Sequence, residues 1–141
     1  MKKQLFILLA LVVAVAGIFA FTTSNSSVGS KTVDGPKFKW DKKVHNFGKI
    51  KQGVPVETSF EFTNSGTAPL IITNVGTSCG CTVPKYPKEP VMPGQTKKIE
   101  VKYNAAAMGN FSKTITITSN AENPTTVLFI KGEVVKKNDV K

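Results

Sequence analysis

The sequence predicts an all-β domain, a two-sheet antiparallel sandwich of about seven strands, from three observations. Apolar and polar residues alternate with a period of two through several segments. Helical periodicity is nearly absent, and turn chemistry recurs roughly every ten residues. A small barrel is the alternative architecture.

Val44 to Ile50 reads as the first strand. Val56, Thr58, Phe60 and Phe62 alternate with Glu57, Ser59 and Glu61, which describes one buried face and one wet face. Leu70-Ile71-Ile72 is a short continuous apolar run, predicted as a strand near the middle of a sheet, covered on both faces or nearly so. Ile99, Val101 and Tyr103 alternate with Lys98, Glu100 and Lys102. Phe111, Ile115 and Ile117 alternate with Ser112, Thr114, Thr116 and Thr118. Val127 to Ile130 is a second continuous apolar run, read like the first, and Lys131 to Val135 completes the count. Between these segments stand Gly53, Asn64-Ser65-Gly66, Pro93-Gly94, Gly109 and Asn120 to Pro124, residues that favour turns. Phe47-Gly48 sets a large anchor beside a residue that permits a bulge or close backbone approach. Asn104 to Met108 is weakly helical and too short to matter.

The ends of the chain read differently. Met1-Lys2-Lys3 followed by the apolar run Leu5 to Phe21 has the layout of a secretory signal, so residues 1–21 are expected to be a signal peptide, or an N-terminal anchor if retained. Residues 22–36 are rich in Ser, Thr and Gly and read as a flexible tether. Residues 37–135 hold the sandwich, and residues 136–141 a polar tail. Export is therefore expected, to the periplasm or the cell envelope. An uncleaved leader would tether the domain to a membrane.

The net charge is +10, from 19 basic residues against 9 acidic ones. Every basic residue is lysine. Nucleic-acid recognition favours the planar fork of arginine, which is absent, and a clustered basic stripe, whereas these lysines are scattered. Composition thus points to a solvated lysine-rich surface, drawn at most weakly to anionic lipid or glycan, and away from nucleic acid.

Several residues fall in a familiar order. His45-Asn46-Phe47-Gly48-Lys49-Ile50, Phe60 to Gly66, Pro69 to Ile72, Ser78-Cys79-Gly80-Cys81-Thr82, Pro93-Gly94, Gly109-Asn110-Phe111, Ser119-Asn120 and Ile130-Lys131-Gly132 succeed one another. From about Phe38 to Val135 the chain closely resembles the bacterial domain-of-unknown-function family 1573 (DUF1573). That family is similar in turn to the ASH, Hydin and major-sperm-protein modules. The resemblance implies an exported immunoglobulin-like sandwich. It brings neither an established activity nor catalytic residues.

Chemistry centres on Cys79-Gly80-Cys81, the only two cysteines. Export places them where thiols oxidise. Three readings stand: a loop-shaping disulfide, a reducible redox pair, or two soft metal ligands. A metal at Cys79 and Cys81 would need further ligands, and only His45, Met92 and Met108 offer them. His45, the single histidine, reads otherwise as an ordinary strand residue. Glu57, Glu61 and Glu100 fall on wet strand faces and make no acid–base pair. The proline-rich stretch Pro84 to Pro93 is either a stiff recognition loop displaying Tyr86 and Met92 or a crossover between sheets. The expected function is a non-enzymatic binding or scaffolding module of the envelope, without cofactor, engaging a protein or other envelope component. The alternative is a thiol-disulfide or soft-metal-handling protein acting through Cys79 and Cys81.

Overall fold

The computed structural model describes residues 34–136 and residue 138. The expected leader, most of the tether and most of the tail lie outside these residues. The described chain forms eight strands: β1 (Phe38–Trp40), β2 (Val44–Lys51), β3 (Val56–Asn64), β4 (Ile72–Thr77), β5 (Thr82–Lys85), β6 (Thr96–Tyr103), β7 (Gly109–Ser119) and β8 (Thr125–Val135). They make two four-stranded sheets, ordered β1-β3-β6-β5 and β2-β8-β7-β4. The result is an all-β, immunoglobulin-like sandwich.

The period-two segments become strands because one face can be buried between the sheets. Phe60, Phe62, Ile99 and Val101 from one sheet meet Ile115, Ile117, Leu128 and Ile130 from the other, and none is more than 1% exposed. Each such side chain contributes roughly 1.5–3 kcal/mol relative to remaining exposed. Aromatic rings close both ends of the core. Phe38 stacks on Trp40 at 4.9 Å and meets Phe62 edge-on at 5.1 Å. Tyr103 stacks on Phe111 across the sheets at 4.3 Å.

Four features depart from the expected strand plan. Val127 to Val135 is one strand rather than two, and it is covered on one face only. Val127 is 36% and Phe129 39% exposed, while Leu128 and Ile130 are buried. β8 does lie inside its sheet, but a two-layer sandwich has no third layer to cover the outer face. The apolar run at Leu70 is likewise not a strand centre. β4 begins only at Ile72, because the Ile71 N–H donates to Asn120 Oδ1 at 2.7 Å, and Leu70 forms an isolated bridge to Val91. β1 and β5 were not expected. One has three residues, and the other contains Pro84 and pairs with β6 alone at the sheet edge. Finally, β2 pairs with β8 in parallel, whereas every other strand pair is antiparallel.

That parallel pair carries the Phe47-Gly48 irregularity. Its register shifts between Asn46 and Lys49, Gly48 takes a φ of 66°, and Asn46 Oδ1 accepts the Gly48 N–H at 3.0 Å. The bulge brings the Gly48 carbonyl over Gly132, where a Cβ would lie 2.8 Å from that oxygen and 2.9 Å from the Phe111 ring.

At the opposite end of the sandwich, Asn64 is wholly buried. Its Nδ2 donates to the Ala68 and Val91 carbonyls at 2.8 and 2.9 Å. Its Oδ1 accepts from the backbone N–H groups of Lys37 and Gly66 at 3.2 and 3.0 Å. One side chain thereby ties the entry to β1, the β3–β4 loop and the β5–β6 loop.

Candidate functional site

The β4–β5 connection carries Cys79 and Cys81, and a network of backbone hydrogen bonds shapes it. Thr77 Oγ1 donates to the Cys79 carbonyl at 2.9 Å, and the Thr82 N–H turns back to that same oxygen at 3.3 Å. The loop is anchored on β7 through the Ser78 N–H to the Thr114 carbonyl and the Thr114 N–H to Ser78 Oγ, both at 3.1 Å. On the other side, the Asn104 N–H donates to the Cys81 carbonyl at 3.1 Å. Cys79 and Cys81 are joined by a disulfide across Gly80, with a Cα separation of 5.3 Å, inside the ordinary disulfide range. Cys81 packs against the core, while Gly80 forms an exposed apex. Thr82 Oγ1, on a residue 4% exposed, lies 3.6 Å from Cys79 Sγ, within hydrogen-bonding reach of sulfur.

Two further loops share this end. Asn104 Oδ1 accepts the Ala106 N–H at 3.1 Å, which curls the β6–β7 connection and holds the buried Ala105 at a φ of 52°. The Ala105 carbonyl accepts the Gly53 N–H, and the Ala106 carbonyl accepts Gln52 Nε2, both at 3.0 Å. The β2–β3, β4–β5 and β6–β7 loops are therefore stitched together. Residues 52–56, 76–84 and 103–112 contain no Lys, Arg, Asp or Glu, in a chain where 20% of residues are charged. Val54 (44%) and Met108 (54%) stand exposed among them. This charge-free loop cluster, flanked by Lys51 and Lys136, went unrecognised in the sequence because its three loops are distant along the chain. Their shared lack of charge was the signal that could have found it.

The other predicted site residues lie elsewhere. Met92 is 48% exposed, but at the Asn64 end of the sandwich, where its N–H donates to Gln95 Oε1 at 3.0 Å. Tyr86 is half-buried against the core, with Lys88 Nζ 3.6 Å above its ring. His45 sits near the start of β2, its ring edge-on to Phe47 at 4.5 Å and Nδ1 3.4 Å from Lys42 Nζ. Burial and the Lys42 charge both lower the His45 pKa below the usual imidazole value. Among the described residues, no three of His, Cys, Asp and Glu gather where they could hold a metal. A depression of about 330 Å³ crosses the outer face of the β3–β6–β5 sheet, lined by Glu57, Glu100, Lys98 and Lys102 among others. There Lys98 pairs with Glu100 at 2.7 Å and Lys102 with Glu57 at 3.1 Å. These exposed ion pairs make a solvated surface, with no acid–base dyad.

Known structures place this geometry in context. A protein of unknown function from Porphyromonas gingivalis W83 superposes with a TM-score of 0.65 at 16% identity, covering 77% of this chain and 51% of that one. The present chain thus spans about half the length of that protein. The ASH/PapD-like domain 7 of human CEP192 gives a TM-score of 0.60 at 10% identity, over 71% of this chain and 86% of the other. The Vibrio cholerae VesB protease gives 0.55 at 18% identity, over 69% of this chain and only 32% of that one. At such identities the likeness is one of fold. No curated protein matches. A family model described as "Protein of unknown function (DUF1573)" matches residues 38–134.

Proposed function

We propose, from the premise that this chain belongs to the DUF1573 family of proteins of unknown function, that it is a non-enzymatic binding or scaffolding module of the cell envelope. It docks a protein partner on these three loops. The observation that carries this reading is the loops themselves: interlocked, without a charged residue, presenting Val54 and Met108 to solvent between Lys51 and Lys136. Interface cores are depleted of charge and enriched in methionine, and charge-free loops leave few ions to desolvate on docking. The loops are also held by backbone hydrogen bonds, so little ordering is required on binding. The ASH/PapD-like likeness supports a binding role by analogy of fold only. Export rests on the charged and apolar pattern of residues 1–21.

A photo-crosslinking residue at Ala107, in the cells that make the protein, tests the docking. We expect a discrete crosslinked species that disappears with Val54→Asp or Met108→Asp and survives Glu57→Gln on the outer sheet face. A crosslink insensitive to both aspartates overturns the assignment of this end. Fractionation with intact mass tests export. Recovery from the cytoplasm would refute it.

A further inference from the structure

We infer that the Cys79–Cys81 disulfide is a thiol–disulfide exchange site for cysteine pairs in apolar segments of other polypeptides, with Cys79 the exchanging sulfur and Cys81 the resolving one. The polypeptide specificity rests on the docking role proposed above. The exchange chemistry does not.

The bond is dispensable for the loop it closes. Cys79 and Cys81 are two residues apart, and hydrogen bonds to Thr77, Thr82, Asn104 and Thr114 already hold that connection. Reduction would leave both sulfurs in place, as a reversible couple requires.

The two sulfurs are not equivalent. Cys81 packs against the core. Cys79, half-buried like Cys81, lies beside the exposed Gly80 and is not among the residues packed on the core, and the Thr82 hydroxyl stands 3.6 Å from its Sγ. No other hydrogen-bond acceptor is within reach of this buried hydroxyl among the described residues. Against a neutral disulfide sulfur the contact is weak. Against a thiolate it becomes a charge-assisted hydrogen bond. No carboxylate stands in the three loops to repel either that thiolate or an incoming one.

The step balances without a further reagent. A partner thiolate attacks Cys79 Sγ. The partner-S–Sγ79 bond forms, the Sγ79–Sγ81 bond breaks, and Cys81 leaves as a thiolate that takes a proton from water. The partner's second thiol loses its proton to water and attacks the first partner sulfur. A partner disulfide forms, and Cys79 departs as a thiolate received by the Thr82 hydroxyl, then is protonated. Two electrons and two protons pass from the partner dithiol to the Cys79/Cys81 pair. The reverse sequence reduces a partner disulfide.

Full-length protein with oxidised glutathione and dithiothreitol as probes tests this. Dithiothreitol should open the native disulfide with no change in the far-ultraviolet dichroism spectrum. A bond that yields only on unfolding overturns the proposal. By intact mass, Cys81→Ser should acquire glutathione at least about tenfold faster than Cys79→Ser. Equal rates, or no adduct, overturn it. Thr82→Val should shift the glutathione equilibrium toward the disulfide by about threefold to tenfold, and Thr82→Ser should restore it. An unchanged equilibrium removes Thr82 from the site. Dithiol peptides with leucine flanks should be oxidised faster than those with glutamate flanks. Equal peptide rates would sink the docking role while leaving the glutathione results standing.

Discussion

Replacing Asn64 by alanine should destabilise the domain far more than a turn residue ordinarily does. The side chain is 0% exposed and makes four hydrogen bonds, at 2.8, 2.9, 3.0 and 3.2 Å. Each contributes about 1 kcal/mol net, and backbone groups left unpaired in a buried site cost more, so the loss is roughly 3–5 kcal/mol. A domain of this size holds only about 5–15 kcal/mol in total. At about 4–8 °C per kcal/mol, the melting temperature should fall by roughly 12–40 °C. Asn64→Asp should be worse at neutral pH. It removes both Nδ2 donors and turns a carboxylate toward the Ala68 and Val91 carbonyls. Lowering the pH should recover part of that loss, because the protonated acid can donate one bond again. Urea unfolding followed by fluorescence of the single tryptophan, Trp40, reads all three proteins. Ser65→Ala on the neighbouring exposed residue is the control, expected within about 0.5 kcal/mol of the parent. A loss below about 1 kcal/mol for Asn64→Ala, or an aspartate no worse than alanine at pH 7, would refute the role assigned to this side chain.

Other substitutions probe other parts of the fold. Gly132→Ala forces a Cβ to within 2.8 Å of the Gly48 carbonyl and 2.9 Å of Phe111. It should cost about 1–3 kcal/mol by calorimetry, with the exchange chemistry unaffected. Replacing Cys79 and Cys81 together by serine should lower stability by no more than about 1.5 kcal/mol, because the closed loop is so short. A larger loss in chemical denaturation would make the bond a true staple. His45 is lowered from its free value by burial and by Lys42, so the folded state binds fewer protons there than the unfolded state. Stability should therefore rise with pH between the folded and free imidazole values and level off on either side. His45→Gln should flatten that slope in urea midpoints measured from pH 5 to 7.5.

The sandwich was legible wherever a single strand face carries the signal. β3, β6 and β7 have Phe60/Phe62, Ile99/Val101 and Ile115/Ile117 on the inside, as their alternation indicates. It was illegible where the determinant lies elsewhere in the chain. Nothing local distinguishes the Leu70 run, with its exposed Ile71, from a strand centre. What shifts it is the hydrogen bond that the Ile71 N–H donates to Asn120, 49 residues away. Asn64-Ser65-Gly66 is a sound turn reading, yet the importance of Asn64 lies in bonds to Lys37 and Val91, each 27 positions distant. Pro84 belongs to a stretch read as a loop or a crossover, yet Thr82–Lys85 forms β5 at the sheet edge, a place that tolerates proline. Its three-residue counterpart β1 is simply too short to show a period. The candidate site was half legible. The cysteine pair announces itself, but its surroundings consist of alanines, a valine and a methionine that no motif singles out.

The parallel arrangement of β2 and β8 has a mechanical consequence. The first residues of both strands lie at the same end of the ladder, with Val44 opposite Phe129 and Lys51 opposite Val135. Tension applied between the start of β2 and the finish of β8 therefore drags the two ribbons lengthwise past each other. All six matched positions resist together, whereas the hairpin of β7 and β8 would open one rung at a time. Loaded between those two points, the pair would give way abruptly, at high force, instead of peeling.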